Sequence, residues 1–120
     1  MKKAVRYQVY RKYNGCCAYC GKKILYQDMQ VDHVKPKKLG GTNDIDNLLP
    51  ACRLCNHYKR AATLHDFKHW LLAGILERLR KIYIFRVAER YGMVSTHAWD
   101  KKFYFEKMED NRCDEKKLPV

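Results

Sequence analysis

The sequence predicts an α+β chain: a small strand-and-helix core bracketed by paired cysteines, after a short N-terminal helix and before a long helical segment. Two C-x-x-C pairs, Cys17/Cys20 and Cys52/Cys55, enclose a stretch rich in strand- and loop-forming residues. Beyond them Leu64, Phe67, Leu71, Ile75, Leu79 and Ile82 recur in steps of three and four, and Phe85 continues the stripe. A length of 120 residues holds one hydrophobic core but not two. The chain is therefore read as a single domain with its core at about 14–62, a helical extension at 63–92 and a C-terminal strand and tail at 93–120.

Each element has a local reason. Val5, Val9 and Tyr13 recur at helical spacing, so Ala4 to Tyr13 is read as a helix, and Asn14-Gly15 stops it. Lys22 to Leu25 and Met29 to Val34 suit the strands of a hairpin. From Lys35 to Asn47, Pro36, Gly40, Gly41, Asn43 and Asp44 supply loop chemistry, in a loop long enough to be functional. Leu48-Leu49-Pro50 is read as a short strand entering the second cysteine pair, with a helix starting around Cys52 to Cys55. Thr63, with Asp66 three residues on, suggests the N-cap of the long helical segment. Gly74 is the place for a kink or break, and Arg90-Tyr91-Gly92 for the end. Phe103-Tyr104-Phe105 reads as a strand, and the charged stretch Glu106 to Val120 as a fraying tail.

Composition excludes several classes. A hydrophobic share of 47% with 12% aromatics is too rich for a disordered chain. A charged share of 32%, with Trp70 to Leu76 the longest apolar run, leaves no membrane-spanning helix. Met1-Lys2-Lys3 meets Arg6, Gln8, Arg11 and Lys12 without the apolar stretch of a secretory signal, so a cytoplasmic setting is expected. Lys and Arg number 25 against 13 Asp and Glu, a net charge of +12 that favours a polyanionic partner such as nucleic acid.

In a reducing compartment six cysteines are not disulfides. Two C-x-x-C pairs separated by a loop are the pattern of a tetrahedral four-cysteine zinc site, each pair giving two thiolates at about 2.3 Å. Cys16 could replace Cys17, although the two-residue gap prefers Cys17; Cys113 is read as a free thiol. A closed four-thiolate site has no open position and is structural.

Between the pairs lies Val31-Asp32-His33-Val34, then Pro36, Gly40-Gly41, Asn47-Leu48-Leu49-Pro50-Ala51-Cys52, and Cys55-Asn56 with Lys59. Together with Cys17-Ala18-Tyr19-Cys20-Gly21, these stretches resemble the HNH endonucleases, whose zinc-bound core is a ββα-metal unit. Thr63-Leu64-His65-Asp66-Phe67, Arg90-Tyr91-Gly92 and Phe103-Tyr104-Phe105-Glu106 are similar to the flanks of phage-encoded members. The resemblance implies metal-dependent hydrolysis of DNA phosphodiester bonds. His33 would be the general base, since a neutral imidazole accepts a proton near neutral pH. Asp32 and the side-chain oxygen of Asn56 would hold one catalytic divalent metal, Mg²⁺ or Mn²⁺, hard cations that take oxygen ligands. Asn47 would tie the loop to the backbone near His33. Many members carry histidine where Asn56 stands; here His57 follows one place later and is read as a surface or phosphate-contact residue.

Lys35, Lys37, Lys38, Lys59 and Arg60 flank these residues in sequence and are the expected phosphate contacts. Arg78, Arg80, Lys81, Arg86 and Arg90 are read as a solvated helix face, His65 and His69 as surface histidines, and Tyr7, Tyr10 and Tyr13 as core or surface aromatics. His97 is given no role. The second reading is a non-catalytic binding protein of phage origin on the same scaffold, acting as an inhibitor of a host defence nuclease or as a DNA-binding module.

Overall fold

The computed structural model describes residues 1–117, and the side chains of residues 1–110. Two compact units form: Met1–Thr63 with Lys102–Val120, and Leu64–Lys101. The expected C-terminal piece at 93–120 is thus divided, because residues from Lys102 onward return to the first unit.

The first unit opens with helix α1 (Lys3–Arg11). It stops where Asn14 and Gly15 take left-handed φ values of 54° and 79°, and the Gly15 N–H donates to the Tyr10 carbonyl at 3.1 Å. A side chain at Gly15 would meet the Tyr10 hydroxyl at 2.9 Å, so only glycine closes this turn without displacing the ring. Val9 of α1 packs with Ile24, Met29 and Leu48. Around that core Arg6 of α1 and Lys12, which follows α1, donate side-chain bonds into backbone carbonyls. Arg6 reaches Tyr26 and Met29, both at 2.8 Å; Lys12 reaches Ile45 at 2.8 Å and Leu48 at 2.7 Å. Tyr13, Tyr19, Leu49 and Phe103 are buried in the same unit, and folds this small still draw on a further staple.

Strand β1 (Gln30–His33) pairs antiparallel with β2 (Leu48–Ala51), placing Asp32 opposite Leu49 and His33 opposite Leu48. The expected hairpin between Lys22–Leu25 and Met29–Val34 does not form. Tyr26–Asp28 coils into a 3₁₀ turn, and Lys23 makes a single bridge with Cys16 across the first cysteine pair. The ladder partner of β1 is the strand read as the entry to the second pair. Pro50 of β2 has no N–H to donate, but its carbonyl accepts the Ala18 N–H of the first cysteine loop at 2.8 Å.

Helix α2 (Arg53–Lys59) follows at once, with Cys52 as N-cap: its sulfur accepts the Cys55 N–H at 3.4 Å. The chain leaves α2 through Arg60 at φ 54°.

Phe103-Tyr104-Phe105, expected as a strand, begins helix α6 (Tyr104–Lys117), so the expected fraying tail is helical through Lys117. The reason lies in the first-turn donors. The Phe103 N–H is taken by Glu106 Oε1 at 3.1 Å, half of a capping box. The N–H groups of Tyr104 and Phe105 donate to the Tyr19 and Ala18 carbonyls at 3.1 and 2.8 Å. The Phe103 and Phe105 rings, which mimic strand alternation, pack on Tyr19 with centroids 5.1 and 6.1 Å away.

In the second unit the helical stripe is interrupted. Helix α3 (Leu64–His69) passes into a π-helical segment, Trp70–Gly74, then α4 (Ile75–Arg80) and α5 (Tyr83–Arg90). Gly74 ends the π-helical segment, and the break lies at Ile82, whose backbone is extended. Phe67 is buried, while Leu71, Ile75, Leu79 and Phe85 are half-buried and Ile82 is exposed. No helix among the described residues is long and apolar enough to cross a membrane.

Candidate active site and metal centre

The two cysteine pairs converge. The sulfurs of Cys17, Cys20, Cys52 and Cys55 all lie within 4.8 Å of one another, with Cys20 and Cys52 3.9 Å apart. A tetrahedral zinc with Zn–S bonds of about 2.3 Å has sulfur–sulfur edges of about 3.8 Å, so the set fits that ion. Cys17, not Cys16, joins the cluster; Cys16 is used in the backbone bridge to Lys23. Among themselves the thiols polarise. The hydrogen bond from Cys55 pulls Cys17 down to about 5, burial pushes Cys20 up to about 11, and the bond to Cys17, with burial, pushes Cys55 up. Four sulfurs this close cannot all ionise unless a cation neutralises them. The free-thiol reading of Cys113 lies outside the described side chains.

Asp32 and His33 are the last two residues of β1, on opposite faces of the strand. Asp32 points inward and is buried. Its Oδ2 receives the Lys59 ammonium at 2.9 Å and the Tyr19 hydroxyl. Burial, then the Asp32 charge, pushes the Tyr19 pKa far up, so the phenol remains a donor. Lys59 also donates to the His33 carbonyl at 3.2 Å, which fastens α2 to β1. With 0% exposure Lys59 cannot meet a phosphate. Its assignment as a nucleic-acid contact is therefore corrected: sequence proximity to Asn56 is real, but the side chain turns inward to a carboxylate.

His33 is half-buried, and its Nε2 lies 2.8 Å from Asn43 Oδ1. An amide oxygen only accepts, so Nε2 carries the proton and a neutral ring keeps its lone pair on Nδ1. Nothing in the pattern of the sequence singles out Asn43; its role arises from the way the loop folds back over ten residues. That loop is fixed by Asn47. Its Oδ1 accepts the Lys35 N–H at 2.8 Å, and its Nδ2 donates to the Lys35 and Thr42 carbonyls at 3.1 and 2.8 Å. Gly41 makes the same closure possible: a Cβ there would lie 1.7 Å from the Lys35 carbonyl oxygen.

Asn56 is half-buried one turn before Lys59, hence on the side of α2 that faces β1. His57 is exposed, rotated away by about 100°. Lys35, Lys37, Lys38 and Arg60 are exposed, as are His65, His69 and His97. A surface groove near Lys22, Gln30 and Arg53 lies at the other end of β1, and neither Asp32 nor His33 lines it.

An antiparallel pair of strands, a helix capped by Cys52 and a four-sulfur cluster placed to hold a metal ion together form a ββα unit. Residues 17–61 match the sequence model of the HNH endonuclease family. The chain is 40% identical over 55 residues to the "CRISPR-associated endonuclease Cas9" of Corynebacterium diphtheriae, a match covering 45% of this chain and 5% of that protein. It is 38% identical over 66 residues to the "SPbeta prophage-derived putative HNH endonuclease YoqL" of Bacillus subtilis, covering 46% of this chain and 25% of that protein.

Proposed function

We propose that the chain is a metal-dependent endonuclease that hydrolyses DNA phosphodiester bonds, with His33 as general base. The supporting observation is the end of β1, where an imidazole whose Nε2 is engaged by Asn43, leaving Nδ1 available, directly follows in sequence a carboxylate that uses only one oxygen internally. A water hydrogen-bonded to Nδ1 would lose its proton to the ring as it attacks phosphorus. The resulting imidazolium is steadied by the Nε2–H bond to Asn43. Asn47 holds the loop, and through it the imidazole, in register. Asp32 and Asn56 offer the hard oxygen donors that suit Mg²⁺ or Mn²⁺. Such an ion, when bound, would supply charge neutralisation at the phosphate and the leaving oxygen. The exposed cations Lys35, Lys37, Lys38 and Arg60 would hold flanking phosphates. A cytoplasmic setting suits four thiols that must stay reduced to bind metal.

The test is plasmid nicking with Mg²⁺ or Mn²⁺. His33→Ala should lower the rate by about 10²–10⁴-fold, with zinc content, melting temperature and DNA affinity near those of the wild type. Excess metal should not rescue it. Loss of stability together with cleavage would give His33 a packing role instead. A wild-type chain that cuts no DNA with any divalent metal would favour the non-catalytic binder on this scaffold.

A further inference from the structure

We propose that Lys59 and Tyr19 are positioning residues that pin one oxygen of Asp32, so that the other alone faces outward as a single-oxygen ligand for a hard divalent cation. The inference rests on the endonuclease reading and names how its metal-holding carboxylate is set. Both donors converge on Oδ2: the Lys59 ammonium at 2.9 Å and the Tyr19 hydroxyl. No buried side-chain oxygen among the described residues lacks a partner, so Oδ1, which accepts no bond, is the atom that reaches solvent.

Stability does not account for this arrangement. Burying an ammonium and a carboxylate carries a desolvation cost that their attraction roughly cancels, and an apolar pair of similar size would hold α2 on β1 at least as well. What an apolar pair cannot do is present a charged oxygen in a fixed direction. The two donors also have informative origins. Lys59 bonds the His33 carbonyl as well, so one ammonium sets the carboxylate and the backbone of the adjacent base together. Tyr19 lies inside the first cysteine pair and carries Phe103 and Phe105 against its ring. The sulfur cluster and α6 thereby act on Asp32 through one phenol.

The experiment is Mn²⁺ binding to the zinc-loaded full chain, read by the electron paramagnetic resonance signal of free Mn²⁺, alongside nicking. Tyr19→Phe keeps the ring and removes only the donor. It should weaken Mn²⁺ binding by about 10-fold, the scale at which partners of metal ligands act, with zinc content and melting temperature retained. In an Asp32→Ala background, Tyr19→Phe should change Mn²⁺ binding no further. Lys59→Met should weaken binding too; if it fails to fold, the Tyr19→Phe pair decides. Unchanged binding in Tyr19→Phe, an equal further loss in the Asp32→Ala background, or no Mn²⁺ binding by the wild type would each overturn the proposal. Mn²⁺ bound through Asp32 without any cleavage would instead overturn the endonuclease reading and leave the positioning intact.

Discussion

The imidazole of His33 can act as a base through only one nitrogen, and Asn43 decides which. With Nε2–H directed to the Asn43 oxygen at 2.8 Å, Nδ1 is the free acceptor. Without that partner either nitrogen can hold the proton and the ring can turn. Asn43→Ala should therefore lower kcat by roughly 10-fold, below the full effect of losing a general base, and leave the Mg²⁺ dependence and zinc content unchanged. Single-turnover nicking at saturating metal measures this directly. A variant as fast as the wild type would make the bond an incidental contact of an exposed loop. Lys59 shows the opposite case at the same scale. Its charge suggests a phosphate, yet the lysine is sealed from solvent and its ammonium neutralises Asp32. A sequence records that a residue can carry charge, not which way a residue at the end of a helix turns.

At the scale of elements, what was legible is what depends on neighbours in sequence. The α1 stop at Asn14-Gly15 rests on local dihedral preference, and the two cysteine pairs rest on spacing. The start of α2 could be read near Cys52 because a cysteine of the paired spacing also caps the helix. Cys52→Ser is accordingly expected to remove the metal and unfold the first unit, since a hydroxyl caps a helix but does not replace a thiolate on zinc. Metal analysis and circular dichroism would check this; a folded, metal-free variant would refute it. What could not be read depends on distant chain. The partner of β1 is β2, on the far side of the 35–47 loop, and not the nearer Lys22–Leu25. Phe103–Phe105 alternates like a strand, but carbonyls of the first cysteine loop accept its N–H groups and start a helix. Asn43 meets His33 only because Asn47 and Gly41 fold the loop between them.

For the whole molecule, charge is the property that acts before any contact forms. On the endonuclease reading, a net charge of +12 on 120 residues favours a polyanionic partner, and the exposed side chains near β1 determine how much of that attraction is local. Lys35, Lys37, Lys38 and Arg60 are exposed there, whereas Lys59 is sealed and neutralised and adds nothing. Each phosphate neutralised contributes about −0.9 to the slope of log affinity against log salt, so these four give roughly −3.6. A fourfold rise in salt should then weaken DNA binding on the order of 10²-fold, with little dependence on base sequence. Replacing Lys35 with Ala should flatten the slope by about 0.9, and the Lys37 and Lys38 variants should do the same. Fluorescence anisotropy with a labelled duplex, without divalent metal, reads both quantities. A much steeper slope would mean that cations of the second unit, such as Arg78 and Arg86, also grip the backbone. Tight binding that ignores salt would be incompatible with phosphate contacts and would point to a protein partner, the setting in which the non-catalytic reading gains its support.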